Sequence, residues 1–388
     1  MAALTRTPES ALRTSGERVL PSPSLDMESR AAVVLDAVPG LGPRAFLSLI
    51  EAHGTATAVL EAARRRDLPG NLSPKLREGL ILAAREEPGL RDLALPDGGS
   101  VVAYTSPCYP AGLRRLARPP LALFVLGPLD PDQSRTITIV GTRAATEYGR
   151  RTAHRLAGEL ADAGWRVASG IARGIDAAAH RGALEAGGET VGVPGCGFDH
   201  VYPAAHRGLY RELARRGLLL SEHRPSVRPA RGLFPRRNRI LAGLARAVVV
   251  VQAGERSGAL ITVARAQEID VEVMAVPGPV DLPASRGVNE LLRDGAGVAT
   301  SAADILSMLG EESGTYTGST RAALPGSGWD ADGPEGKLRS LLRSEALHAD
   351  DIAARTGLGI SQTLSLLGRL SLEGRVRAMP GGRYVAAD

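Results

Sequence analysis

The chain has few lysines, cysteines and aromatic residues, and each shortage narrows what the protein can be. Only Lys75 and Lys337 are lysines, so the formal net charge of +5 at pH 7 comes from arginine. Two cysteines, Cys108 and Cys196, exclude a disulfide framework and fit a reduced compartment. No stretch approaches the roughly 20 apolar residues of a membrane span, and the N-terminus has no run of signal-peptide length. We expect a globular protein of the cytoplasm without membrane contact.

The pattern along the chain predicts an α/β fold with flanking domains. Short β-branched apolar runs alternate with helical segments from about Thr136, which is typical of a mostly parallel sheet covered on both faces. Upstream, Gly40 and Gly42 form a turn between helical faces, as in a helix-hairpin-helix element. The predicted order is a disordered tail over 1–29, a helical, helix-hairpin-helix-like domain over 30–95, an α/β domain with a mostly parallel sheet over 96–310, a linker over 311–334 and a winged-helix domain over 335–388.

The final domain is predicted from its order of elements. A helix is followed by a second helix that Asp350 could cap, a third helix over 360–372, and a hairpin at Gly381-Gly382. This third helix contains Arg369 as its one basic residue, so contact with DNA and contact with protein both remain open.

The stretch "VASGIARGIDAAAHRGAL" (167–184) predicts an anion site. Gly170 and Gly174 allow close backbone approach, and Arg173 adds a positive charge beside the N-terminus of the following helix. The loops "GTR", "PGCG" and "SGAL" also follow predicted strands, so all four loops can converge at one edge of the sheet. Asp176 could instead cap its helix.

A second signal is the run from His223 to Gly254, which contains no acidic residue and clusters arginines in its first half. Phe234 lies within this cluster. Binding of single-stranded DNA without sequence preference requires a basic groove and an aromatic stacking surface, and this segment supplies both residue types. The alternatives are a solvated arginine face and a core position for Phe234.

The sequence gives little support to dinucleotide binding, metal binding or catalysis. The "GTR" loop does not complete the dinucleotide fingerprint, and the histidines His180, His200, His206 and His223 lack metal-ligand spacing. No paired carboxylates accompany the loops, and nothing next to Cys196 makes it a nucleophile. We therefore predict no catalytic residue, no metal and no cofactor.

Several motifs in one order resemble the DNA processing protein A (DprA/Smf) family over roughly residues 100–300. They are "VGTRAATEYGRRTAHRLAGEL", "SGIARGIDAAAHRGALEAGGETVGVPGCGFDHVYP", "FPRRNRILAGLARAVVVVQAG" and "VPGPVDLPASRGVNELLRDGA". The resemblance implies that the helical domain over 30–95 is SAM-like and that 96–310 is an extended Rossmann-like domain. This domain is expected to bind single-stranded DNA, protect incoming DNA and help load the RecA recombinase during natural transformation. It also implies homodimers, and single-stranded DNA-binding protein is a further candidate partner.

By this resemblance, Arg143, Arg173 and the segment from Arg231 to Arg239 line the DNA pocket, although some relatives have lysine at the position of Arg231. Asn238 could bond a base, a phosphate or the loop backbone, and Ser257 and Gly258 could offer N–H groups. The predicted DNA-binding set is Gly141, Thr142, Arg143, Ser169, Gly170, Arg173, Gly174, Arg231, Phe234, Arg237, Asn238, Arg239, Ser257 and Gly258.

For the homodimer, Leu291, Leu292, Ile305 and Leu306 are predicted interface residues on helical faces, and all four could equally be internal. Two rival functions stay open. One is a nucleotide-processing hydrolase of the lysine-decarboxylase-like Rossmann type. If Thr262 matches the threonine of that motif, Arg265 replaces its glutamate, and a guanidinium cannot act as that acid or base. The other rival is a winged-helix regulator with a nucleotide-sensing domain.

Overall fold

The structure is a computed structural model that describes residues 25–90, 93–127, 135–311, 334–344, 346–372, 376–379 and 383–386. It divides into two compact units, the first ending at Gly314 and the second beginning at Thr315. Most of the predicted tail and linker lies outside the described residues. The boundary of the tail at residue 29 is wrong, because the first helix begins at Met27, where the Asp26 carboxylate accepts the Ser29 N–H at 2.6 Å.

The first unit opens with four helices, α1 (Met27–Asp36), α2 (Pro43–His53), α3 (Ala56–Arg65) and α4 (Pro74–Glu86). Thr55 and Ser73 cap α3 and α4 through their hydroxyl oxygens. Val33, Leu49 and Leu80 are fully buried between the helices, in a core that continues into Phe124 of the sheet. The helical segment is therefore built onto the sheet and shares its core.

A nine-stranded sheet forms the centre of the first unit, in the order β1-β2-β6-β5-β4-β3-β7-β8-β9. The strands are β1 (Gly99–Ala103), β2 (Ala122–Leu126), β3 (Thr136–Gly141), β4 (Arg166–Ser169), β5 (Thr190–Gly192), β6 (Leu218–Ser221), β7 (Ala247–Gln252), β8 (Glu272–Ala275) and β9 (Gly297–Val298). Strands β3 to β9 pair in parallel, whereas β1 and β2 add antiparallel at one edge. The predicted, mostly parallel α/β sheet is confirmed.

Helices cover both faces of this sheet. They are α5 (Glu147–Asp162), α6 (Ile175–Glu185), α7 (Arg207–Arg216), α8 (Leu233–Leu244), α9 (Ala259–Gln267), α10 (Arg286–Arg293) and α11 (Ala302–Met308). Val248 and Val250 of β7 face one core, and Val249 and Val251 face the other, as the strand period of two requires. The order of connection reverses between β3 and β7, which is where doubly wound sheets bind their ligands.

The second unit contains α12 (Pro334–Ser344), β10 (Leu347–His348), α13 (Ala349–Thr356), α14 (Ile360–Leu372), β11 (Val376–Met379) and β12 (Arg383–Ala386). Its three strands pair antiparallel around β12. This is the predicted winged-helix order, although Gly381-Gly382 lies outside the described residues. One detail is corrected: the N-cap residue of α13 is His348, not Asp350. In the described part of the chain, no helix has the length and apolarity to span a membrane.

Candidate nucleic-acid interface

The loops after β3 and β4 meet at the reversal point of the sheet. The Thr142 N–H donates to the Gln252 carbonyl at the end of β7 (2.7 Å), and the Ile175 N–H donates to the Thr142 carbonyl (3.3 Å). Gly174 adopts φ +79°, and a side chain there would collide with the Thr142 carbonyl. Glycine at this position therefore lets the two predicted phosphate loops pack directly against each other.

Two side-chain hydrogen bonds fix the loop between β4 and α6. The buried Ser169 hydroxyl donates to the Ile139 carbonyl (2.7 Å), and the Asp176 carboxylate accepts the Ala172 N–H (3.2 Å). Gly174, not Asp176, is the N-cap residue of α6, so the Asp176 side chain folds back onto its own loop instead of capping the helix. The loop projects Arg173 into solvent.

Arg237 forms the floor of the crevice. Only 4% of it is exposed, its guanidinium donates to the Val193 carbonyl, and it packs where a side chain on Gly170 would otherwise stand. Burial raises the pKa of the Asp176 carboxyl, and the positive charge of Arg237 opposes that rise. Arg237 therefore acts from below, by filling the space under Gly170 and by bonding to the Val193 carbonyl, so it positions the loops.

The next two residues of α8 also bond to other parts of the protein. Arg239 pairs with Glu222 after β6 (2.5 Å), with both side chains mostly buried. Asn238 donates to the Gly258 carbonyl at 3.3 Å, so among its three possible partners the structure shows the loop backbone. Through this bond α8 holds the start of α9, where Gly258 is the N-cap residue and Ser257 is partly exposed.

The accessible part of the crevice is an aromatic pair beside an arginine. The rings of Phe234 and Tyr202 lie 5.2 Å apart between centroids, and the Arg143 guanidinium carbon lies 5.5 Å from the centre of the Phe234 ring. Gly195 is required here, because a Cβ on it would approach Phe234 to 2.6 Å. Tyr202 is 45% exposed, and Arg143 is exposed as well. This arrangement offers a flat apolar surface edged by positive charge.

Sequence reasoning missed Tyr202. It follows the glycine-rich "PGCGFDHV" stretch after β5, in the loop next to the predicted anion site. An aromatic residue in a strand-end loop of a chain with only 3% aromatics was an available signal. Two of the predicted residues, Arg231 and Gly258, are exposed at the N-termini of α8 and α9. Arg236 lies in the predicted segment from Arg231 to Arg239, although it was not among the individually named residues, and it is exposed next to Arg237.

The dimer residues separate into two groups. Ile305 and Leu306 are 0% and 4% exposed and belong to the core beneath α11, so their assignment to an interface is corrected. Leu291 and Leu292 pack against the other core and are only partly buried.

The residues considered for catalysis are buried or bonded to neighbouring residues. Thr262 is buried, and Arg265 lies exposed on α9 in an ion pair with Glu268. Burial raises the pKa of the Cys196 thiol to about 11, although Arg237 opposes the rise, and the thiol donates to the His200 carbonyl (3.2 Å). Such a thiol stays protonated at neutral pH and is a poor nucleophile.

Fold and site together define a Rossmann-like α/β protein with exposed arginines and an aromatic pair at the carboxyl edge of its sheet, and with a winged helix in its second unit. The chain belongs to the DNA recombination-mediator protein A family, whose model matches residues 100–310, and the DprA winged helix domain matches residues 322–382. It thus belongs to a family of DNA-processing recombination mediators.

Individual relatives agree. The chain is 44% identical over 279 residues to the putative DNA processing protein DprA of Mycobacterium tuberculosis, covering 70% of each chain. It is 38% identical to DNA processing protein DprA of Bacillus subtilis, over 66% of this chain and 84% of that one. The X-ray structure of DNA processing protein A from Streptococcus pneumoniae superposes with a TM-score of 0.61 at 30% identity, covering 72% of this chain and 97% of that chain.

Proposed function

We propose that this recombination mediator binds single-stranded DNA in the crevice at the reversal point between β3 and β7. The observation that carries the proposal is the pair of rings of Phe234 and Tyr202 with the Arg143 guanidinium beside them. Unstacked bases can lie on such rings, while exposed guanidiniums neutralise the neighbouring phosphates. Arg173 projects from the adjoining loop and supplies the second charge.

In this proposal the arginines have two different roles. Arg143, Arg173, Arg231 and Arg236 are exposed and contact phosphates. Arg237 and Arg239 are held by Val193 and Glu222, and they keep α8 in the position that presents Phe234.

The same geometry favours a single strand over a duplex. In a duplex the bases are stacked on each other and paired, so their faces are not available to Phe234 and Tyr202. Only the phosphate contacts would remain for double-stranded DNA. We therefore assign the crevice a preference for single strands with little dependence on base sequence.

Family membership supports the finer role. We propose that the bound strand is incoming DNA during natural transformation, that the protein protects it and helps to load the RecA recombinase, and that it acts in the cytoplasm as a homodimer. Single-stranded DNA-binding protein is a further proposed partner. A binding role is favoured over catalysis, because Thr262 is buried, Arg265 is paired with Glu268, and burial raises the pKa of the Cys196 thiol.

A salt-titrated binding assay tests the crevice. Fluorescence anisotropy with labelled oligo-dT and a duplex of equal length is expected to show tighter binding of oligo-dT, weakened steeply by salt. Replacing Arg143 and Arg173 together with alanine removes two charge-assisted contacts of about 1.5–3 kcal/mol each, so oligo-dT affinity falls at least about tenfold.

The matched control is Arg135→Ala with Arg246→Ala. Both arginines are exposed next to β3 and β7, but at the opposite, amino-terminal edge of the sheet. This control carries the same change of charge and is expected to bind like the unmodified chain. Equal affinity for duplex and oligo-dT, or equal losses in the two double variants, contradicts a single-strand site in the crevice.

A further inference from the structure

Helix α7 presents a row of arginines to solvent. Leu209, Tyr210 and Leu213 are buried against β6, which turns the opposite side of the helix outward. Arg207, Arg211 and Arg215 are all exposed on that outward side. Their spacing of four residues places successive side chains about 6 Å apart along the helix axis. The three residues form a single file of positive charge, named here the α7 arginine row.

The charge of this row is not used inside the protein. In the part of the chain that the structure describes, none of its three guanidiniums forms an ion pair, and Glu212 is the one carboxylate on the helix. Within the row, Arg211 Nε donates to the Arg207 carbonyl of the same helix (3.4 Å). The neighbouring Arg216 is also exposed, but it donates to the Leu184 carbonyl of α6 (2.9 Å) and so links the two helices. The bond to Leu184 therefore gives Arg216 a structural role, whereas no such role accounts for the three arginines of the row.

The row begins at the crevice. Tyr202 is followed by Pro203, a short 3-10 turn over Ala204–His206, and then Arg207 at the start of α7. The buried His206 ring donates through Nδ1 to the Ile171 carbonyl (3.0 Å), because a carbonyl oxygen only accepts. Ile171 lies two residues before Arg173 in the loop after β4. The aromatic pair, the arginine loop and the first arginine of the row are thus fixed to one another.

From this start the row leads away from the crevice. Since α7 precedes β6 in a parallel sheet, it runs from the carboxyl edge toward the amino edge, and its last arginine lies about 12 Å further along the helix than the first. β6 lies three strand positions from β3, about 14 Å across the sheet. A strand leaving the aromatic pair in this direction passes directly over the row.

We propose that the α7 arginine row is a second DNA contact, which binds the phosphates of the same single strand after it leaves the aromatic pair. One row of charges fits one phosphate backbone. The row reads no bases, because the outward side of α7 has arginines, Gly208 and Glu212 but no aromatic ring. This inference rests on the proposed crevice, which it extends by several nucleotides.

The test compares strand lengths. An oligo-dT of about five nucleotides occupies the crevice alone, and one of about twenty nucleotides also reaches the row. In the triple variant Arg207→Gln, Arg211→Gln, Arg215→Gln, affinity for the long strand is expected to fall about tenfold or more. Because each phosphate contact on a single strand contributes about 0.7 to the salt slope, the slope for the long strand becomes shallower by about 2. Binding of the short strand stays unchanged.

The matched control is Arg65→Gln, Arg135→Gln, Arg246→Gln, which removes the same charge from exposed positions away from the row. All six substituted arginines are exposed, so both triple variants should keep the melting temperature of the unmodified chain, which is measured alongside. If the affinity and the salt slope for the long strand are unchanged, the row is not a DNA contact, and binding of an acidic protein partner is the alternative. Equal losses in both triple variants overturn it as well, by assigning the effect to net charge. Failure of the unmodified chain to bind either strand is a separate result, because it rejects the crevice itself.

Discussion

At the residue scale, the two rings of the crevice contribute through their faces and not through charge. We expect Phe234→Ala and Tyr202→Ala each to weaken oligo-dT binding by about 1–3 kcal/mol, the usual value of one stacked base. The salt slope should stay the same, because neither change removes a phosphate contact. Anisotropy titrations at several salt concentrations measure both quantities.

The conservative variant distinguishes stacking from other roles of the tyrosine. Tyr202→Phe retains the ring 5.2 Å from Phe234 and removes only the hydroxyl, so its affinity should match that of the unmodified chain. If Tyr202→Phe binds as poorly as Tyr202→Ala, the hydroxyl carries the contact and the aromatic platform is wrong.

Individual residues of this site were only partly predictable from the sequence. The motif order indicated that the arginines of "FPRRNR" belong to the site, but Arg236 is exposed while Arg237 is 4% exposed. Adjacent positions on a helix point about 100° apart, so the register of α8 against the loops decides which guanidinium reaches solvent. That register depends on Gly170 and Val193, which lie in the loops after β4 and β5.

At the scale of elements, one carboxylate joins the helical segment together. Glu28 on α1 accepts the N–H groups of Ala56 (2.6 Å) and Thr57 (3.0 Å) at the start of α3, and the hydroxyls of Thr57 (2.7 Å) and Thr105. Burial alone raises the pKa of the Glu28 carboxyl, but these hydrogen bonds outweigh it and hold the pKa below its ordinary value of 4.5. The ionised form is thus the one the fold selects.

We expect Glu28→Ala to lower the free energy of unfolding by about 1–3 kcal/mol, because it leaves the first N–H groups of α3 without their acceptor. Since the folded-state pKa is lowered, this stabilisation is present above pH 4.5 and is lost as the pH falls through the folded pKa. Urea denaturation at pH 7 and at acid pH measures both effects. Glu51→Ala, at an exposed position of α2, is the control and should change little. A Glu28 variant as stable as this control contradicts the assigned role.

The elements themselves were easier to predict than their pairing. The β-branched apolar runs from Thr136 onward form strands β3 to β8, because such runs flanked by glycine or helix are typical of buried parallel strands. They are "TITIV", "RVAS", "ETVGV", "LLLS", "AVVVV" and "VEVMAV". Strands β1, β2 and β9 were not among them. β2 pairs with β6, with Phe124 opposite Ser221 and Leu126 opposite Leu219, and no local pattern specifies so distant a partner. The core shared by the helical segment and Phe124 follows from the same long-range pairing.

At the scale of the whole molecule, exposed arginines of the first unit occur on elements with defined places in the sheet. Arg143 and Arg173 lie at the carboxyl edge next to the aromatic pair, and the α7 arginine row continues from the neighbouring loop. Of the carboxylates at this edge, Asp176 and Glu222 lie beside the mostly buried Arg237 and Arg239, and Glu147 and Glu255 are paired with Arg150 and Arg286. An overall charge of only +5 is therefore compatible with a strong local positive field.

The second unit allows the sharpest test of where single strands bind. In its third helix, α14, Ile360 and Leu364 are exposed, and Arg369 is paired with Glu335, so this helix offers little unneutralised charge to phosphates. The first unit has its own cores and ends at Gly314. We expect a chain ending at Glu311 to keep its fold by circular dichroism and to bind oligo-dT within about twofold of the full chain, a difference under 0.5 kcal/mol. If truncation abolishes binding while the full-length Arg143→Ala, Arg173→Ala variant binds normally, single strands bind the winged helix, and both the crevice and the α7 arginine row lose their assigned function.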